Sequence, residues 1–133
     1  MFYYKDQNNK VHAISSKEYE AMLPSGCVEI TEAEATSLNN PPETDAEAAQ
    51  RLLAVVEQHM DAVAAERNYD NRYTCAVRAG YPNQWQAEGT AFGEWMDACY
   101  AHLYQVQADV LAGSRAIPSE VDLIAELPAM VWP

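Results

Sequence analysis

The side chains able to ligate a metal or act as nucleophiles are few and scattered. His12, His59 and His102 fall in different segments, as do Cys27, Cys75 and Cys99. Only Cys99-x-x-His102 places two ligands one helical turn apart. Two ligands do not close a site: structural zinc takes four, and di-iron bundles carry Glu-x-x-His on paired helices. The sequence has no Cys-x-x-Cys pair, Gly-rich phosphate loop or Gly-x-Ser-x-Gly elbow. These patterns predict no metal, no cofactor and no catalytic centre, and the cysteines read as buried free thiols that pack as small hydrophobes.

The aromatic residues carry more information. Tyr69, Tyr73, Tyr81, Trp85, Phe92, Trp95, Tyr100 and Tyr104 crowd the middle third of the chain, and Tyr and Trp are the side chains enriched at protein interfaces because a large apolar body ends in a polar tip. Phe92, Trp95 and Tyr100 lie within a helical pattern and are expected in the core. Tyr69, Tyr81 and Trp85 lie at breaks, where packing and partner contact are equally good readings. The chain ends on Ala129-Met130-Val131-Trp132-Pro133. An apolar end either docks on its own domain or inserts into a partner, since chain ends otherwise fray. Tyr69, Tyr81, Trp85, Met130 and Trp132 are therefore the candidate partner-binding residues.

The elements that position these residues follow from pattern and punctuation. All lysines (Lys5, Lys10, Lys17) precede residue 20 and all arginines follow residue 50, so the composition changes partway along. Between them Asn39-Asn40-Pro41-Pro42 interrupts any helix. The expected division is a small mixed module over 1–40, a linker over 41–44 and a helical domain over 45–133. In the first module, residues 2–5 and 10–14 read as a β-hairpin, with asparagines suited to the positive-φ turn between them. A short helix capped by Ser16 runs to Met22, a third strand covers 27–30, and Thr31-x-x-Glu34 is a capping box opening another helix. In the second, Thr44-x-x-Glu47 is a further capping box, and Leu52, Val56, Met60 and Val63 form one stripe of a helix ending near Arg67. A shorter helix is expected over 72–79. Phe92, Trp95, Cys99, Leu103, Val106 and Val110 trace the seam of a long helix over 84–112. Gly113 stops it, and Ser119-x-x-Asp122 opens a last short helix that Pro128 ends. The fold class expected is α+β, predominantly α, with a hairpin-containing N-terminal module followed by a helical bundle.

The chain has 133 residues, 49% of them apolar, which is enough for a buried core, and a formal charge of −12. That charge repels phosphate backbones and anionic lipid, so neither nucleic acid nor a membrane surface is an expected partner. No apolar run reaches the roughly 20 residues of a spanning helix, and the start Met1-Phe2-Tyr3-Tyr4-Lys5 lacks the basic-then-apolar order of a signal peptide. A soluble protein made in the cytoplasm is the expectation.

Arg67-Asn68-Tyr69-Asp70, Ala87-Glu88-Gly89, Trp95, the segment 110–118 (VLAGSRAIP) and the segment 123–128 (LIAELP), taken in order, resemble the C-terminal part of the small tail proteins of tailed bacteriophages and prophages grouped as tail fibre assembly proteins. The resemblance covers roughly 50–133, is looser over the first forty residues, and departs at Met96, where an arginine is expected. It implies a non-enzymatic interaction protein whose partner is the tail fibre or another tail protein, acting in the host cytoplasm during assembly. The fibre it implies is an intertwined homotrimer, whose assembling chains expose unpaired edges and apolar surface. Self-association of the helical module fits the same picture. Two alternatives stand beside this one: a structural virion component that stays in the tail, and a helical ligand-binding or regulatory protein whose aromatic middle third lines a pocket.

Overall fold

A computed structural model describes all 133 residues, and the chain divides into two compact units, Met1–Thr44 and Asp45–Pro133. The architecture is α+β and mainly α: a three-stranded antiparallel sheet and one short helix in the first unit, helices throughout the second.

In the first unit β1 (Phe2–Lys5) and β2 (Val11–Ile14) form the hairpin, with Phe2 opposite Ile14 and Lys5 opposite Val11. The turn closes on a carboxylate. Asp6 Oδ1 accepts the N–H groups of Asn8 and Lys10 at 2.8 and 3.0 Å, while Asn9 takes the left-handed conformation (φ 60°) that asparagine tolerates best after glycine. Hydrogen bonds from His12 and from the Lys10 backbone hold the Asp6 carboxyl below its usual range. β3 (Val28–Ile30) pairs antiparallel with the other edge of β1, giving the order β2-β1-β3. α1 (Glu32–Asn39) opens on the expected capping box, in which Glu34 N–H donates to Thr31 Oγ1 at 3.1 Å and Thr31 N–H donates to the Glu34 carboxylate at 2.8 Å.

Two expectations for this unit need correction. The short helix expected up to Met22 is a 3-10 helix, Lys17–Met22, but the Ser16 side chain makes no capping bond; six residues with no buried side chain do not repay α-helix nucleation. Cys27 is half-buried rather than buried, because it sits one residue before β3, next to Gly26 at φ 84°.

The second unit is organised by two long helices, α2 (Asp45–Ala65) and α4 (Gln86–Leu111). At 1.5 Å per residue they extend about 31 and 39 Å. Their stripes meet along the core: Leu52, Val56, Met60 and Val63 from α2 with Phe92, Trp95, Cys99, Leu103 and Val106 from α4. α2 ends two residues earlier than the pattern suggests, since Asn68 takes φ 65° and the chain turns back on 3-10 bonds.

The helix expected over 72–79 divides into α3 (Arg72–Ala76) and a 3-10 turn, Val77–Gly80. Asn71 starts it, its side-chain oxygen accepting from the N–H groups of Tyr73 and Thr74 at 2.9 and 3.0 Å. Its tightening to 3-10 geometry accompanies a close approach to α4. A Cβ on Gly89 would lie 2.6 Å from the Ala79 backbone nitrogen and 2.8 Å from Arg78 Cβ, so only glycine admits this packing. α4 ends at Gly113 (φ 76°), whose N–H and that of Ser114 donate to the carbonyls of Val110 and Asp109.

α5 (Glu120–Glu126) is capped by the Ser119 hydroxyl, which accepts from Asp122 N–H at 3.1 Å. It buries Leu123, and Leu127 just beyond it, while Val121 stays exposed. Three polar ties hold this segment. Trp95 Nε1 donates to the Pro128 carbonyl at 2.7 Å, Arg51 pairs with Glu120 at 2.9 Å, and Glu126 receives Arg115 at 2.8 Å and His102 at 2.9 Å. Hydrogen bonds from Arg115 and His102 push the Glu126 carboxyl down to about 2. A carboxylate held below its unfolded value stabilises the fold above the ordinary carboxylate range and loses that contribution as pH falls toward the folded value. Urea midpoints are accordingly expected to drop as pH falls from about 5 to about 2, and Glu126→Gln should flatten that slope while leaving helix content unchanged.

Candidate protein-interaction surface

The first turns of α4 gather most of the aromatic residues that the sequence places at breaks. The break itself is built on Asn83. Its side-chain amide donates to the carbonyls of Arg78 (2.8 Å) and Tyr81 (2.7 Å), and its side-chain oxygen accepts from Trp85 N–H at 2.9 Å. One side chain therefore satisfies both limbs of the turn and sets the directions of Tyr81 and Trp85. Pro82 between them lacks an N–H and keeps the chain from continuing as helix. Arg78 completes the group: its guanidinium donates to Tyr81 Oη at 2.8 Å and lies over the Trp85 ring, 5.0 Å from the centroid. Tyr81 and Trp85 remain 44% and 43% exposed. The result is an Arg between a Tyr and a Trp, the residue types that dominate binding energy at protein interfaces, tied together by hydrogen bonds and ring contact.

One turn further along α4, Glu88 organises a second group. Its carboxylate accepts from Arg67 at 3.0 Å and from Tyr69 Oη at 2.9 Å. Burial, together with the hydrogen bond to Glu88, pushes the Tyr69 hydroxyl up to about 12, so it remains a neutral donor. Arg67 in turn lies over the Trp132 ring at 5.1 Å, and that ring stacks on Phe92, 5.9 Å apart and 17° from parallel. Trp132 Nε1 reaches Glu66 at 3.4 Å, and Met130 packs on the same core.

The five candidate residues thus separate by role. Met130 and Trp132 take the docked arrangement, packed on the core of their own unit, and Tyr69 is half-buried in a hydrogen bond. Tyr81 and Trp85 present their rings to solvent. Periodicity does not reveal Arg78 or Asn83, and it gives no role to Arg67 and Glu88, which enter the sequence reading only as landmarks of the resemblance. Asn83 reads from sequence only as turn punctuation, and an arginine's partner aromatic, three or seven residues away across a break, has no periodicity to reveal it.

The other sequence candidates have ordinary partners. Cys99 is fully buried, and burial pushes its thiol up to about 11; Cys75 behaves alike, with burial the larger cause and the nearby Glu88 charge the smaller. His102 faces Glu126 rather than Cys99. No group of three His, Cys, Asp or Glu side chains lies close enough to hold a metal ion, and no helix is long and apolar enough to cross a membrane.

A separate apolar cavity of about 420 Å³ opens between the start of α2 and the end of α4. Aliphatic side chains line most of it, and Tyr104 is the one member of the aromatic middle third on its wall. Compared with known protein families, curated proteins and solved structures, the chain matches none.

Proposed function

We propose that this chain is a non-enzymatic assembly chaperone that captures the tail fibre protein of a tailed bacteriophage and covers its aggregation-prone surface until the fibre trimer forms. The observation that carries the interaction reading is the Arg78–Tyr81–Trp85 group positioned by Asn83, in which the half-buried Arg78 joins the exposed Tyr81 and Trp85. The choice of a fibre as partner rests on the resemblance of the landmark segments between Arg67 and Pro128. The formal charge of −12 suits a chaperone that must keep a sticky client in solution.

The test is capture of the fibre from producing cells by the tagged chain, with mass spectrometry of the captured proteins and of purified particles. Fibre is expected in the capture and this chain is expected to be absent from particles. Tyr81→Ala with Trp85→Ala should lower capture about tenfold or more, as loss of interface anchors does, with circular dichroism unchanged because both rings are already exposed. Finding this chain in finished particles would instead make it a tail component. Undiminished capture by the double variant would move the binding surface elsewhere.

A further inference from the structure

The two long helices are not covered along their whole length. Around Val56, Met60, Phe92 and Cys99 the side chains are 0% exposed, closed over by neighbouring elements that include α3 and α5. Toward the start of α2 and the end of α4 the enclosing layer stops. There Leu111 is 73%, Tyr104 58% and Ile117 41% exposed, and all three border the 420 Å³ cavity. We propose that this open end is a docking groove for a basic amphipathic helix of a partner protein.

Shape argues for a helix. The groove is bounded by Asp45–Leu53 on one side and Leu103–Leu111 on the other, each about 12 Å long at 1.5 Å per residue, or two helical turns. That length receives the i, i+3/i+4 and i+7 anchors of one helical face. Eleven of the fifteen lining residues are apolar and only Asp45, Gln50, Tyr104 and Gln107 carry polar groups, so an extended segment laid into it would leave most of its own N–H and C=O groups without partners, whereas a helix satisfies them internally.

Charge argues for a basic one. The lining holds no Lys, Arg or His, and its one charged residue is Asp45. The nearby arginines are committed: Arg51 to Glu120 at 2.9 Å and Arg115 to Glu126 at 2.8 Å. Asp45–Pro133 as a whole carries five arginines against thirteen Asp and Glu. A second copy docking groove to groove would bring together two units that each carry an excess of eight acidic residues. A helix with an apolar stripe flanked by Lys and Arg meets an apolar floor and a field of opposite sign.

The probe is a fluorescent synthetic peptide of roughly 18 residues, long enough to hold a helix once bound, with Leu at the anchor positions and Lys elsewhere, compared with the same peptide carrying Glu in place of Lys. Titrated with the full chain, the Lys peptide should bind saturably, gain helicity and weaken with salt, and the Glu peptide should not bind. Leu111→Lys and Ile117→Lys, both at exposed positions, should each weaken the Lys peptide about tenfold with helix content intact, and Trp85→Ala should leave it unchanged. Three results would overturn the proposal: equal binding of the Glu peptide, affinity indifferent to both groove variants, or occupation of the groove by something else. The last would show as a dimer in sedimentation, or a small apolar molecule in the native mass spectrum, that Leu111→Lys removes.

Discussion

Phe92→Ala is expected to lower the stability of the helical unit by about 4 kcal/mol, the range found for removing a fully enclosed aromatic ring. Phe92 is 0% exposed, and three things depend on it. It meets Trp95 at 5.4 Å, which in turn fixes Pro128 through the indole N–H; it stacks under Trp132 at 5.9 Å; and it fills the space between α2 and α4. The variant should therefore release the C-terminal segment as well as weaken the core. Chemical denaturation read by far-ultraviolet circular dichroism gives the loss in stability, and tryptophan emission under native conditions should shift to the red as Trp132 leaves its stack. A loss below about 1 kcal/mol would mean that the helices collapse onto the vacancy, which close-packed interiors rarely do.

Arg72→Leu is expected to cost about 3 kcal/mol, the lower end of the range for removing one member of a buried ionic group. Arg72 is 8% exposed at the start of α3 and reaches back to α2, where its guanidinium donates to both oxygens of Asp61 at 3.0 and 2.9 Å and to Glu57, with Tyr73 Oη as a further contact. Its backbone N–H also donates to Asp61 at 2.9 Å. Burial disfavours the Arg72 charge, but Asp61, Tyr100 and Glu57 outweigh it and raise its pKa, so the guanidinium stays protonated throughout the accessible range. Removing it leaves two neighbouring carboxylates facing an apolar side chain. The partial exposure of Glu57 and Asp61, 27% and 34%, sets the cost at the low end. Arg72→Lys should recover little, because an ammonium cannot present the planar fork that spans two carboxylates. Adding Glu57→Gln and Asp61→Asn to Arg72→Leu should recover part of the loss, and denaturation midpoints at constant m-value measure both steps.

The parts legible in the sequence were those written in local chemistry. The Thr31 capping box, the Ser119 cap and the Gly113 stop each depend on residues within one or two turns of each other, the seam from Phe92 to Val106 on successive members about one turn apart, and the structure has all of them. The seam was readable because apolar spacing near 3.5 leaves no other secondary structure that buries every member. Local pattern misled where a distant contact decided. The helix expected over 72–79 tightens to 3-10 geometry where Gly89, ten residues past its end, lets α4 approach. At the interaction surface Tyr81 and Trp85 could be singled out as aromatic residues at a break. That Arg78 joins them, and that Asn83 holds the three in place, depends on a loop geometry without periodicity. The docking of Met130 and Trp132 is not legible in the sequence, because an apolar chain end reads the same whether its groove belongs to its own domain or to another.

The placement of the three thiols has a practical consequence. Cys75 and Cys99 are enclosed in the helical core with their thiolates disfavoured by burial, and Cys27 lies half-exposed at the foot of the small sheet. A maleimide or disulfide reagent offered to the native chain meets Cys27 first, because thiol reactivity follows access and thiolate fraction. The natural sequence thus carries one labelling handle in Met1–Thr44 and two silent thiols in Asp45–Pro133 that open only when the core does. Spectroscopic labels and unfolding traps can be addressed separately to the two units without changing a residue.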